Sequence, residues 1–287
     1  MLGFNGGLIG KVRTASILQS VPGVWTLQEQ AIYRGLRTWP GGWTPANIST
    51  ALWLDATDST TITESSGAVS QWNDKSGNGR NATASSTARP TTGTRTINSL
   101  NVLDFNGSSN SMTFATAPMS GTSSGMAVYV VQLDNDPPTV TTTGGPVLGD
   151  WGLGGAGTIL IWTDGNIYDD FLSNSRNAAG NPTPSFSTAP ALVSVVSASG
   201  LWEIYVNGSL LFSTTSNTYR VGTSPKIGHS STNGNIYVDG RVAEIAVVAN
   251  STSSTTRQLL EGYMAGPARW NLQSSLPSDH PYRNVAP

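Results

Sequence analysis

At 287 residues the chain is long enough to bury roughly 75% of the surface its unfolded form exposes. Its 37% hydrophobic residues and 9 tryptophans are too much apolar material for a disordered chain. Charged side chains make up 11%, against about 25% in an average globular protein, and the formal net charge is −2, so no nucleic-acid binding through a basic patch is expected.

The absence of cysteine excludes a disulfide scaffold and thiolate metal sites. No stretch approaches the ~18 apolar residues of a membrane span, so no membrane insertion is expected. Gly3, Asn5, Gly6 and Gly7 come early, and Lys11 and Arg13 follow the short apolar stretch instead of preceding it. That order is not a signal peptide's, and export by another route is expected.

Residues 1–47 read as an anchoring arm. Met1 to Ser20 is Gly-rich with no core of its own. In PGVWTLQEQAIYRGLRTWPGGW, Thr26 and Glu29 have capping-box spacing, so a short helix starts at Thr26, and Gly35 and Pro40 limit it. Trp25, Trp39 and Trp43 flank that helix and need a surface to bury against, either the chain's own sandwich or a partner protein. Trp25, Leu27, Ile32, Tyr33, Leu36 and Trp39 are the candidate partner-binding residues.

Residues 48–287 form a second unit. From about Thr50 to Ala249 short apolar runs recur between Gly/Ser/Thr/Asn turns: 52–54, 100–105, 126–133, 159–162, 191–196, 201–206, 210–212 and 241–249. Many short strands joined this way predict an all-β sandwich or barrel. In LWEIYVNGSLLF, Asn207-Gly208 is the favoured pair for a type I′ hairpin turn, which puts Trp202, Ile204 and Val206 on one face. Near the C-terminus Ser253 or Ser254 can cap a helix whose apolar face is Leu259, Leu260, Tyr263 and Met264. Gly266-Pro267 ends it, and a Pro-rich tail follows.

These segments carry a resemblance. LWLDATD at 52–58, VSQWNDKSGNGRNATAS at 69–85, LNVLDFNGSSNSM at 100–112, WEIYVNG at 202–208 and GRVAEIAVVANSTSSTTRQLLEGYMA at 240–265 resemble the strands and closing helix of concanavalin-A-like, laminin-G-like domains. WNLQSSLPSDHPY at 270–282 is similar to the tail of many bacterial and phage versions. The resemblance implies an antiparallel jelly-roll β-sandwich. PGVWTLQEQAIYRGLRTWP at 22–40 resembles a motif of structural proteins in tailed phages. That implies a non-enzymatic virion protein, a tail fibre or similar appendage, bound to other tail or capsid proteins as a homo-oligomer and free to touch host surface glycans. A capsid-decoration protein, a free carbohydrate-binding module and a hydrolase with an unrecognised site stay open as alternatives.

The residues themselves argue against catalysis. Glycoside hydrolysis usually needs two carboxylates across the scissile bond. The five glutamates are Glu29, Glu64, Glu203, Glu244 and Glu261, and none has a second acid at a suitable strand spacing. Glu203 and Glu244 are expected to face solvent, and His280 to cap or pack in the tail. His229 and His280 are remote in sequence, and no zinc-type spacing occurs. GDWGLGGAG at 149–157 reads as a loop between strands, since no GK[ST] follows. No cofactor is required. Calcium is the one candidate, because laminin-G-like folds often hold it, and Asp134, Asp136, Asp164, Asp169 and Asp170 lie in loop-like segments. The alternative is solvated turn aspartates. Trp151, Trp162 and Tyr168 lie near loops and could stack on a sugar, although most tryptophans in a sandwich are core.

Overall fold

The computed structural model describes residues 43–140, 144–153, 160–231 and 236–287. The six candidate anchor residues from Trp25 to Trp39, and the helix expected from Thr26, lie outside the described residues.

In chain order the strands are β1 (Thr50–Asp55), β2 (Ile62–Ser65), β3 (Ala68–Trp72), β4 (Ala82–Thr83), β5 (Thr91–Ile97), β6 (Leu100–Asn106) and β7 (Met112–Phe114). There follow β8 (Ser124–Leu133), β9 (Leu148–Gly149), β10 (Leu160–Ile161), β11 (Ile167–Asp169), β12 (Asn177–Gly180) and β13 (Ala191–Ala198). The last are β14 (Leu201–Val206), β15 (Ser209–Thr214), β16 (Lys226–Ile227), β17 (His229–Ser230), β18 (Ile236–Tyr237) and β19 (Asp239–Ala249), before helix α1 (Ser254–Ala265). Every pairing between these strands is antiparallel, as in the all-β sandwich expected from sequence.

One layer runs β15–β14–β13–β8–β19, with β1 and β6 both beside β19. From β6 the path passes through β5 to a second layer, β3–β4–β7–β16–β9, by the pairing of Thr91 with Ala68. The layers enclose one core, in which Trp72, Met112 and Ile227 of the second meet Tyr129, Val193 and Trp202 of the first.

The inner row of the second layer, Ile62–Trp72–Ala82–Phe114, is apolar. The register places Thr63, Gln71, Thr83, Thr113 and Lys226 on its outer face. This is the period-two pattern of a sheet with one wet face.

The first layer is different. Strands β8, β13 and β19 are buried almost throughout. Ala127, Tyr129 and Val131 of β8 enter the core between the layers. Met126, Val128 and Val130 face the other way, into a second core closed by Leu260 and Met264 of α1 and by Trp270, Leu272 and Leu276 of the tail. Fully burying such a side chain is worth about 1.5–3 kcal/mol, so this second face needs a cover. Trp43 packs on that core too, edge-on to Tyr263 with ring centroids 5.9 Å apart.

The local signals read from sequence act as expected. Asn207 and Gly208 have φ of 51° and 77°, and Trp202, Ile204 and Val206 point inward. The Ser253 hydroxyl accepts from the Thr256 N–H at 3.3 Å and caps α1. The motif loop at 73–81 is structural. The Asp74 carboxylate accepts from the Trp53, Ser76 and Arg80 N–H groups, and Arg80 and Asn78 donate to carbonyls of β1.

Candidate functional site

The acidic residues outside the loops come first, because they decide whether chemistry is on offer. Glu244 does not face solvent. It is fully buried, and it accepts from the Trp53 Nε1–H at 2.9 Å, the Trp270 Nε1–H at 2.8 Å and the Arg269 guanidinium. Register places Asp55 directly opposite, and Arg269 bridges the two, 2.9 Å from Asp55. Lys75 reaches Asp55 at 3.0 Å and Asp58 at 2.9 Å.

Burial alone would push Asp55 up, but Arg269 and Lys75 outweigh it and hold the carboxyl below its ordinary range. Burial pushes Glu244 up. The pair therefore ties the tail to the sheet and has no open face for a substrate. Glu203 is half-buried and accepts from the Tyr205 hydroxyl at 2.8 Å.

Glu261 is the second buried acid. Arg257 grips it with two hydrogen bonds of 2.6 and 2.8 Å, the Ser194 hydroxyl donates at 2.7 Å, and His280 Nε2 lies 3.0 Å away. His280 Nδ1 accepts from the Tyr282 N–H, so the imidazole proton sits on Nε2 and points at Glu261. His280 packs in the tail, as expected from sequence.

The five aspartates considered for calcium serve separate ends. Asp134 pairs with Arg95 and Arg241, and Asp136 accepts from Ser185 and the Phe186 N–H. Asp164 closes a turn. Asp169 and Asp170 are buried, not solvated turn residues: Asp169 ends β11 and accepts from the Phe171 N–H, and the backbone at Gly152 packs on the Asp170 carbonyl. Among the described residues no group of three or more His, Cys, Asp or Glu is arranged to hold a metal.

An open surface feature is the aromatic rim on the small sheet β10–β11–β12. Ile161 and Ile167 pair and point into the main core. Alternation therefore turns Trp162 and Tyr168 outward. A tight turn joins the two strands. The Trp162 N–H donates to the Asn166 carbonyl at 3.0 Å, and the Gly165 N–H donates to the Trp162 carbonyl at 2.9 Å. Gly165 has φ of 79°, and a Cβ there would lie 2.5 Å from the Asn181 amide.

Both rings pack on buried Ile236 and stay half-exposed. The Tyr168 hydroxyl donates to Asp164 at 2.9 Å, and the Arg176 guanidinium lies 5.1 Å from its ring centroid. The Asn166 N–H and the Tyr168 hydroxyl hold Asp164 below the usual carboxylate range, so it stays ionised. An aromatic surface flanked by a fixed anion and a cation can stack on an apolar ring face and hydrogen-bond the hydroxyls around it. Of the three loop aromatics considered from sequence, Trp151 is core and donates to the Lys226 carbonyl, while Trp162 and Tyr168 form the rim.

The loops behind the rim are rigidly stitched. Asp150 accepts from Lys226 Nζ at 2.7 Å and from the Ser230 and Ser231 hydroxyls at 2.9 and 2.7 Å. The His229 and Tyr237 rings stack, with centroids 4.3 Å apart. Gly222 runs so close that a Cβ would fall 1.8 Å from the Asp150 carbonyl.

No family model matches the chain, and no curated protein matches it in sequence. Solved structures share the fold. The chain is similar to the binding domain of Paraclostridial Mosquitocidal Protein 1, with 12% identity, TM-score 0.51, and coverage of 77% of this chain and 53% of that one. It is similar to the receptor binding domain of botulinum neurotoxin D, with 12% identity, TM-score 0.50, and coverage of 77% and 54%. It is also similar to Trypanosoma rangeli sialidase in complex with sialic acid, with 16% identity, TM-score 0.51, and coverage of 83% and 38%. The chain thus spans well under two thirds of each neighbour, and at these identities the likeness is one of fold.

Proposed function

We propose that residues 48–287 are a non-catalytic binding sandwich that touches a glycan through Trp162 and Tyr168. Residues 1–47 anchor it to other proteins of a virion, as a tail fibre or similar appendage. The observation that carries the glycan reading is the half-exposed Trp162–Tyr168 pair, seated on Ile236 and flanked by Asp164 and Arg176. The facing strand carboxylates Asp55 and Glu244 are buried and engaged by Arg269, which favours binding over cleavage. The same fold serves as a binding domain in the neurotoxin and the mosquitocidal protein, so it accommodates this role. The virion part rests on the resemblance of residues 22–40 and on the candidate anchor residues Trp25, Leu27, Ile32, Tyr33, Leu36 and Trp39.

The test is a glycan array probed with the whole chain and with Trp162→Ala. Selective binding that the substitution abolishes supports the reading. No binding, or binding that Trp162→Ala leaves intact, overturns the assignment of the site. Labelling the particle tests the anchor separately: signal at the tail fits an appendage, signal across the capsid makes it a decoration protein, and no signal ends the virion reading.

A further inference from the structure

A second surface feature shares none of the rim's residues. Where β5 passes from β6 to β3, a solvent-open cleft of 370 Å³ lies between the 85–91 and 104–110 segments. Its volume is at the small end of ligand pockets, which run from roughly 300 to 1,000 Å³. Its walls are fixed. The Asn110 amide donates to the Thr87 and Arg89 carbonyls at 3.2 and 2.7 Å, and the Ser109 hydroxyl donates to the Thr87 carbonyl at 3.1 Å. The Asn106 carboxamide oxygen accepts from three successive N–H groups of residues 108–110.

Arg89 lines this cleft, and among the described residues it is the half-buried arginine whose guanidinium has no partner. Its Nε is shut off from solvent without a hydrogen bond. Arg80, Arg95, Arg241, Arg257, Arg269 and Arg283 each donate to a carboxylate or a carbonyl. Asp104, the carboxylate in the cleft wall, is engaged by Arg95 at 3.0 Å and makes no ion pair with Arg89. The Ser86, Thr87 and Thr91 hydroxyls on the same wall donate no hydrogen bond within the chain. The Arg89 guanidinium thus lies at the cleft wall with no carboxylate of the chain bound to it and can take up an anion that enters from solvent. A guanidinium matches a carboxylate in plane and in donor spacing, and the three hydroxyls match the hydroxyls of a sugar ring.

We infer that this cleft binds an acidic monosaccharide unit, with Arg89 on its carboxylate and the Ser86, Thr87 and Thr91 hydroxyls on its ring hydroxyls.

The experiment is calorimetric titration of the whole chain with glucuronate, with glucose and with sulfate, repeated on Arg89→Gln, and accompanied by thermal melts. Binding of glucuronate roughly tenfold or more tighter than glucose, lost in Arg89→Gln with the melting temperature unchanged, is the expected result. Arg89→Lys keeps the charge without the fork and should fall between the two. Equal binding of glucuronate and glucose, or no binding of either, overturns the assignment. So does sulfate binding as tightly as glucuronate, which would make the cleft a general anion site. A melting temperature that falls in Arg89→Gln while binding survives would make Arg89 a structural residue. Because Trp162 lies outside the cleft, Trp162→Ala should leave glucuronate binding intact, and either site can fail alone.

Discussion

The covered face of the first sheet and the two open surface features use their polar groups in opposite ways. Under α1 and the tail, Glu244 and Glu261 are fully buried, and arginines, indoles, a serine and a histidine take up their oxygens. At the rim and in the Arg89 cleft, aromatic faces seated on Ile236 and a guanidinium without a carboxylate partner are left open. The first arrangement holds the chain together. The second leaves groups open to solvent, and both proposed binding sites are placed there on that ground.

The contrast can be broken by substitution. Glu261→Ala leaves Arg257 buried and unpaired and frees Ser194 and His280, so it should cost about 3–5 kcal/mol in urea denaturation. A loss below about 1 kcal/mol would show that the tail is not held by this acid. Gly222→Ala drives a methyl group into the Asp150 carbonyl and should cost about 1–3 kcal/mol by the same measurement.

Trp162→Ala acts at the open end. It removes a half-exposed ring from a small satellite cluster, so it should lower stability by only about 1–2 kcal/mol while abolishing glycan capture. The smallest effect belongs to Asp134, whose carboxyl Arg95 and Arg241 hold below its ordinary value of 3.8. Its folded-state value is lowered, so its contribution is complete above 3.8 and is lost as the pH falls below it. The pair is partly exposed, so Asp134→Asn should cost about 1 kcal/mol or less at neutral pH and flatten the acid limb of a stability–pH curve by that amount.

Sequence reading reached the strands because their determinants are local: alternation along β14, Asn207-Gly208 between β14 and β15, and Ser253 before α1. It failed at Glu244. A lone glutamate on a strand reads as a wet side chain, and its indole partners, Trp53 and Trp270, lie 191 and 26 residues away. Glu261 carried a fainter signal, since Arg257 stands four residues before it on what reads as one helix face. Trp162 and Tyr168 were legible as loop aromatics, but the fold separates them from Trp151: Trp162 follows β10 and Tyr168 lies within β11, both on the outer side, whereas Trp151 is buried in the core. Arg89 carried no local signal, because what marks it is that the carboxylate in the same cleft wall, Asp104, is taken by Arg95.

The doubly covered sheet has a consequence for biosynthesis. Once β19 pairs with β8, Met126, Val128, Val130 and Val248 lie in a sheet whose second face stays bare until α1 and the tail fold over it. At about 5–20 residues per second the missing segment takes roughly 2–8 s to appear. Until those residues fold over it the nascent chain displays a sticky apolar plane, and a chain cut back to Ala249 would keep it displayed.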